Sequence, residues 1–401
     1  MITNLNDDKQ MATMLDTLWS DANTIAPLMT QWRRYFHMHP DLSGHEGPTA
    51  RKVLEILTGL GVEAEILPGQ NAIVGWVRGG DGPIVALRAD IDALPIQEIP
   101  GRDYGSTAPG IMHACGHDAH TAILLGAAEL LMKRRGQLNG EIRLLFEPAE
   151  ETVGGAQPII DAGYFDGVKA VFALHMAPNL KLGQLWTRKG AMSGSSNEVI
   201  LTVRGQSCHG AYPERGIDAI VLAAQVIQAA QTLVSRRTSA LDSAVLSFGV
   251  ISGGTAPNIL AESVTLNGTL RTLNEDTRVR ILAELERLAK GICEAAGGSC
   301  DITIHPGYHA VECAAEWVDR LDELAATINV EALTKPTPSL GVDSFGDFTA
   351  IAPGLYYDVG CVTEDNAPQI HTPGFDIDER CLPIGAYLQA ALALAAVKMN
   401  S

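Results

Sequence analysis

The chain has 401 residues, 46% of them hydrophobic, which predicts two or three domains with cores of their own. A formal charge of −18 and a pI near 5.0 exclude nucleic acid and anionic membrane surfaces as main partners, since both demand a positive field. Seven cysteines, no secretory pattern at the start and no apolar run of the ~18 residues a membrane span needs predict a cytoplasmic protein.

The first forty residues read as helical, and residues 48–60 place Val53, Leu54, Ile56, Leu57 and Leu60 on one helical face that stops at Gly61. Short apolar runs follow at 72–77, 84–87, 142–146 and 170–174, each bounded by Gly, Pro or charge, as suits buried strands. A strongly apolar helix is expected at 121–133. This alternation predicts an α/β fold with a mostly parallel sheet and helices on both faces. Polar residues gather after the strands: Asp90 and Asp92 after the second, Glu147, Glu150 and Glu151 after the third, His175 after the fourth. In open α/β sheets that edge binds ligands.

From about residue 197 the rhythm changes. Strands at 198–204, 244–251, 263–271 and 301–305, with helices at 216–235 and 277–296, give the β-α-β-β-α-β order of a ferredoxin-like α+β domain. The first pattern resumes with a helix at 314–328, a strand at 355–359 and a helix at 382–398. The expected division is therefore a catalytic, metal-binding domain from 1–187 and 311–401, interrupted by an inserted domain at 188–310.

The segment Met112-His-Ala-Cys-Gly-His-Asp-Ala-His120 packs a thiol, three imidazoles and a carboxylate into nine positions. If the segment is extended, Cys115 and His117 project to one side and reach one cation. Thiolate plus imidazole favours zinc, with manganese, nickel or cobalt admitted when carboxylates complete the site. With Glu151, His175 and His371 the donors number five, more than one tetrahedral zinc requires, and they suit two metals sharing a bridge. Glu150, beside Glu151, is placed to take a proton from water.

Together with Arg88-Ala-Asp-Ile-Asp-Ala-Leu-Pro95, Phe146-Glu-Pro-Ala-Glu-Glu151 and Ile370-His-Thr-Pro373, that segment resembles the M20 metallopeptidase family. The resemblance is closest to its amidohydrolase branch of hippurate hydrolases, N-acyl-amino-acid deacylases and auxin-conjugate hydrolases, and it covers nearly the whole chain. It implies a phosphorylase/hydrolase-like catalytic domain and an inserted lid that also dimerises. It further implies Cys115 as the bridging ligand, His117, Glu151, His175 and His371 as the other ligands, and Glu150 as general base. Asp90 and Asp92 lie where the wider family has His-x-Asp. By that resemblance Asp92 joins Glu150 and His209 in the catalytic set, while Asp90 and His120 orient ligands. His209, in Ser207-Cys-His-Gly-Ala-Tyr-Pro213, is implied to stabilise the oxyanion, and Asn258 and Arg271 to hold a substrate carboxylate.

One departure stands out. The family commonly reads Ser-Glu-Asp-Phe where this chain has Phe345-Gly-Asp-Phe348, so Gly346 replaces an acidic residue; metal ligation should survive while the pocket wall differs. His37, His39 and His113 are expected to be structural. The implied activity is metal-dependent hydrolysis of N-acyl amino acids, with Zn²⁺ or Mn²⁺ as first choice, in a homodimer or higher homo-oligomer. The rivals are a dipeptidase or carboxypeptidase and a catalytically idle conjugate-binding protein. Serine-hydrolase and nucleotide-binding readings fail, because no Gly-x-Ser-x-Gly, Walker A or Gly-x-Gly-x-x-Gly stands in the right context.

Overall fold

The computed structural model describes residues 5–399. The helical expectation for residues 1–4 and the domain limits drawn at 1 and 401 lie outside the described residues. The chain divides into two compact units: one takes the chain up to Met192, Glu312–Pro336 and the chain from Asp347 on, the other Ser193–Val311 and Thr337–Gly346. The second of these stretches differs from the sequence expectation. It joins the inserted part because Gly194 donates its N–H to Gly341 O at 3.1 Å and Gly346 packs on the main chain of His309.

In the first unit eight strands form one sheet, in the spatial order Glu63–Ile66, Ile73–Arg78, Glu141–Glu147, Ile84–Asp90, Val168–Lys181, Gly354–Val362, Gln184–Thr187 and Glu331–Thr334. Its four central strands, from Glu141–Glu147 to Gly354–Val362, run parallel. Toward the edges the pairing becomes mixed. Glu63–Ile66 and Ile73–Arg78 are joined by a tight turn closed by Leu67 N–H to Ala72 O, which permits only an antiparallel pair. Every residue of Gly354–Val362 is buried, so both faces of the sheet's centre are covered.

Helix His117–Met132 is buried almost all round, which its apolar run at 122–128 requires, and packs between Leu5–Met38 and Cys381–Met399 against the sheet. The close approach of the first of these depends on Gly126, where a Cβ would stand 2.3 Å from Met29 Sδ. No helix among the described residues is long and apolar enough to cross a membrane.

The second unit follows the order Ser195–Arg204, helix Ala219–Ser235, Ala244–Gly253, Ser263–Thr272, helix Glu275–Ala295, Ser299–Pro306. Its four strands are all antiparallel, and in space the fourth lies beside the first, then the third, then the second. Alternate residues Val199, Leu201 and Val203 join Leu222, Val226 and Leu285 of the helices in one core. Both helices are capped by side chains: Asp218 accepts the amide of Ile220 at 2.9 Å, and Asn274 that of Thr277 at 3.0 Å.

Candidate metal centre

The helix expected from residue 121 begins four residues earlier, at His117. Gly116 turns the chain with φ +92°, and a Cβ there would stand 3.0 Å from the Met176 side chain. Cys115 and His117 are therefore not successive outward residues of an extended segment; a left-handed turn brings them together. His175 also differs from expectation, lying within the long strand Val168–Lys181 rather than after it. Cys115 Sγ stands 3.3 Å from His175 Nε2 and 3.3 Å from His371 Nε2. His371, at φ +61°, is held by its own N–H, which donates to Ala114 O at 2.7 Å. A non-glycine residue in that region carries strain of order 1–3 kcal/mol and persists only where its surroundings impose it.

The ring nitrogens can be assigned from their partners. His175 donates Nδ1–H to Met176 O at 2.8 Å, which leaves a lone pair on Nε2 facing Cys115. His117 Nδ1 lies 2.9 Å from Asp92 O and 3.2 Å from Asp92 Oδ1, so its Nε2 is likewise the open position. His120 is different: its Nε2 accepts the amide of Met176 at 2.9 Å and its Nδ1–H donates to Asp90 at 2.6 Å. Both its nitrogens are committed. Burial, opposed by Asp90, lowers its pKa to about 4 and keeps it neutral.

The carboxylates are organised by a buried arginine. Asp90 and Glu147 end neighbouring parallel strands in register, two like charges side by side. Arg88 lies between them, donating Nη1–H to Asp90 and Nε–H to Glu147, each at 2.7 Å. The other oxygen of Glu147 accepts the amide of Gly155 at 3.0 Å and closes the loop that carries Glu150 and Glu151. Inside that loop Ala149 adopts φ +57°, its amide donating to buried Glu46 at 2.9 Å, and the amide of Glu151 donates to Asp92 Oδ2 at 3.1 Å. Glu150 is thus flanked by two anchored peptide groups. Ser43 also donates to Asp92 Oδ2, at 2.6 Å, so both oxygens of Asp92 are engaged in positioning and neither points at open space.

Do these residues fit a metal? Among the described residues four groups of three have their donor atoms within 4.8 Å of one another, and two of them, Cys115–His117–His175 and Cys115–Glu151–His371, share the thiol. His117 Nε2 and Glu151 Oε1 are buried and make no hydrogen bond, although the latter lies 3.1 Å from His371 Nε2. Lone pairs that crowd together without pairing are the arrangement of ligands around a cation. Burial pushes the Cys115 thiol well above its ordinary value, which a bound cation would reverse. Burial works against the His117 cation but Asp90 and Cys115 raise its pKa well above the usual range, so a negative field is focused on this ring. The donor set fits divalent ions of the zinc or manganese type. His371 is half exposed, so the cluster opens to solvent on that side.

His209, Asn258 and Arg271 all belong to the second unit. The structure brings the segments of the first two together: Gly210 donates its N–H to Asn258 O at 2.7 Å, and a Cβ there would stand 3.1 Å from the Asn258 main chain. His209 Nδ1 accepts the amide of Ala211 at 3.1 Å, which puts the ring proton of neutral His209 on exposed Nε2. Arg271 is half-buried in the strand Ser263–Thr272, donates to Thr269 Oγ1 and Leu270 O, and has no acidic partner among the described residues; burial lowers its pKa.

Several organising residues escaped the sequence reading: Arg88, Glu46, Ser43 and Asp118. Arg88 had a signal, a charge within the otherwise apolar strand Ile-Val-Ala-Leu-Arg-Ala, which only a buried pairing accommodates. His113 is buried with both ring nitrogens unbonded, and burial lowers its pKa to about 4.

The sequence pattern described as "Peptidase family M20/M25/M40" matches residues 86–395. The chain is 35% identical to thermostable carboxypeptidase 2 of Saccharolobus solfataricus over 389 residues, 95% of this chain and 98% of that protein. It is 33% identical to N-acetylcysteine deacetylase of Bacillus subtilis over 364 residues, 90% of this chain and 95% of that one. Among solved structures it resembles a Bacillus subtilis protein titled a dinuclear metal binding peptidase from the M20 family, with a TM-score of 0.81 and 30% identity over 94% of this chain and 99% of that one.

Proposed function

The chain belongs to peptidase family M20/M25/M40, and from that premise we propose that it is an amidohydrolase that cleaves N-acyl amino acids into a carboxylic acid and a free amino acid. The observation that carries this reading is the pair of triads sharing Cys115, with Glu150 placed beside His117 and Glu151. Two divalent ions, Zn²⁺ or Mn²⁺ by preference, would polarise the scissile carbonyl and acidify a water when bound there. Cys115 would bridge them, with His117 and His175 on one side and Glu151 and His371 on the other. Asp92, Asp90 and His120 hold those ligands in place.

Glu150 takes a proton from the attacking water as its oxygen bonds to the carbonyl carbon. It then delivers that proton to the amide nitrogen as the C–N bond breaks. His209, with its proton on Nε2, donates to the carbonyl oxygen while negative charge develops. Arg271 and Asn258 hold the substrate's carboxylate; the lack of an acidic partner for Arg271 among the described residues supports this. The same reading makes the second unit a lid and a dimerisation element, supported by exposed Val245, Val250 and Ile251 on its edge strand. A cytoplasmic setting suits its free thiols.

A carboxypeptidase is the second reading, favoured by the similarity to thermostable carboxypeptidase 2. Glu150→Gln tests the chemistry common to both: kcat should fall about 10²- to 10⁴-fold while bound metal stays unchanged. Undiminished turnover in that variant would remove Glu150 from the mechanism.

A further inference from the structure

Arg33 connects two of the four chain segments that carry the donors, those of His117 and His371, from a helix that supplies none of them. It sits wholly buried on Leu5–Met38. Its Nε donates to Asp118 Oδ2 at 2.8 Å, its Nη2 to Asp376 Oδ1 at 2.7 Å and its Nη1 to Glu379 Oε1 at 3.4 Å. Asp118 follows His117 in the first turn of its helix and also accepts from His37 Nδ1 at 2.8 Å. Asp376 lies five positions beyond His371. That stretch is pinned by Tyr104 Oη and Arg102 Nε on Asp376 at 2.7 and 3.0 Å, and by Arg102 Nη2 on Gly374 O at 2.8 Å.

We propose that Arg33 is a positioning residue of the metal centre, which holds the His117 segment and the His371 segment at the separation the two triads require. The inference rests on the two-ion reading above. Burying a guanidinium among carboxylates is a poor way to gain stability, since apolar packing of the same volume serves as well or better. What such a network supplies is a fixed spatial relation between three backbone segments. The triads do not depend on it equally. His117 and His175 are fixed through their own Nδ1 atoms, by Asp92 and by Met176 O. The half-exposed His371, apart from its contacts with Cys115 and Glu151 inside the cluster, is held by a main-chain bond and sits in a left-handed conformation. Loss of Arg33 should therefore loosen Cys115–Glu151–His371 first.

The test compares wild type with Arg33→Met, Asp376→Asn and Arg134→Met. The last removes another buried arginine, paired with Asp21 at 2.6 Å just past the far end of the His117–Met132 helix. Each metal-free protein is titrated with Co²⁺ against a competing chelator, following stoichiometry and the thiolate-to-cobalt absorption, beside thermal unfolding. Wild type should bind two ions. Arg33→Met and Asp376→Asn should keep one with near wild-type affinity and bind the second at least about tenfold more weakly, as loss of ligand support does elsewhere. Arg134→Met should lower the unfolding temperature and leave both affinities intact. Two ions held at wild-type affinity by folded Asp376→Asn would overturn the proposal, and so would equal weakening by Arg134→Met, which would reduce the effect to general stability. Asp376→Asn decides the matter even where Arg33→Met fails to fold. Fewer than two ions in wild type would instead overturn the two-ion reading, before any variant is compared.

Discussion

His117 Nδ1 is fixed by Asp92, at 2.9 Å from its main-chain oxygen and 3.2 Å from its carboxylate, and the same carboxylate accepts the amide of Glu151. One aspartate thus aims a ligand from each triad. Replacing it by asparagine keeps the shape, but it removes the charge and offers an NH₂ group where acceptors are needed. Asp92→Asn should lower metal affinity about 10- to 100-fold, measured by competition with a chelating dye. Unchanged affinity would show that the ring of His117 needs no such support.

The buried network around His37 predicts how the metal-free protein responds to pH. Both His37 nitrogens face carboxylates, Asp118 at 2.8 Å and Glu98 at 3.2 Å, so the ring serves both best as a cation. Burial opposes that charge, yet these partners raise its pKa above 6.5. A raised pKa stabilises the fold below 6.5, and the contribution is lost as pH climbs through the folded value. Glu98 behaves in the opposite sense: burial opposes its charge, but His37, the Ser106 amide and Arg102 bring it to about 2 from 4.5. Its contribution is present above 4.5 and lost as pH falls toward 2. The unfolding temperature should therefore peak between about pH 4.5 and 6.5. His37→Gln should flatten the alkaline limb; a limb unchanged in that variant would refute the assignment.

The family resemblance leads one to expect an acidic residue at Gly346, and the main chain of His309 leaves no room for a side chain there. A Cβ there would lie 2.1 Å from His309 O and 2.8 Å from its carbonyl carbon. The obstacle begins at the first side-chain atom. Gly346→Ala should thus destabilise nearly as much as Gly346→Glu, by about 1–3 kcal/mol in urea unfolding. A tolerated alanine with a harmful glutamate would point to charge rather than space.

The longer strands and helices of both units were legible because buried runs, period-3.6 faces and Gly or Pro boundaries are local signals, whereas the four-residue strands Glu63–Ile66, Gln184–Thr187 and Glu331–Thr334 were not read, being too short to show a pattern. Pairing was less so. The mixed edges of the large sheet depend on a turn at Gly69 and on short strands such as Gln184–Thr187, whose pairing with Gly354–Val362 is set by contacts far apart in sequence. At the centre, Cys115, His117, Glu151, His175 and His371 could be named from residue type and motif. Their geometry could not, since it depends on left-handed turns at Gly116, Ala149 and His371; only the glycine announces itself in the sequence. The supports, Arg88 between Asp90 and Glu147 and Arg33 between Asp118 and Asp376, escaped because each joins residues whose proximity exists only in the fold.

The most direct test of the account is hydrolysis by metal-stripped protein before and after Zn²⁺ or Mn²⁺ is restored. The panel holds N-acetyl, N-benzoyl and indole-acyl amino acids, the matching dipeptides and an N-acyl amine without a carboxylate. The account predicts that metal restores release of amino acid from at least one acyl conjugate, with little cleavage of the dipeptides or of the compound lacking the carboxylate. Cleavage of dipeptides alone would contradict it in favour of the carboxypeptidase reading, and silence across the panel with two ions bound would leave a conjugate-binding protein.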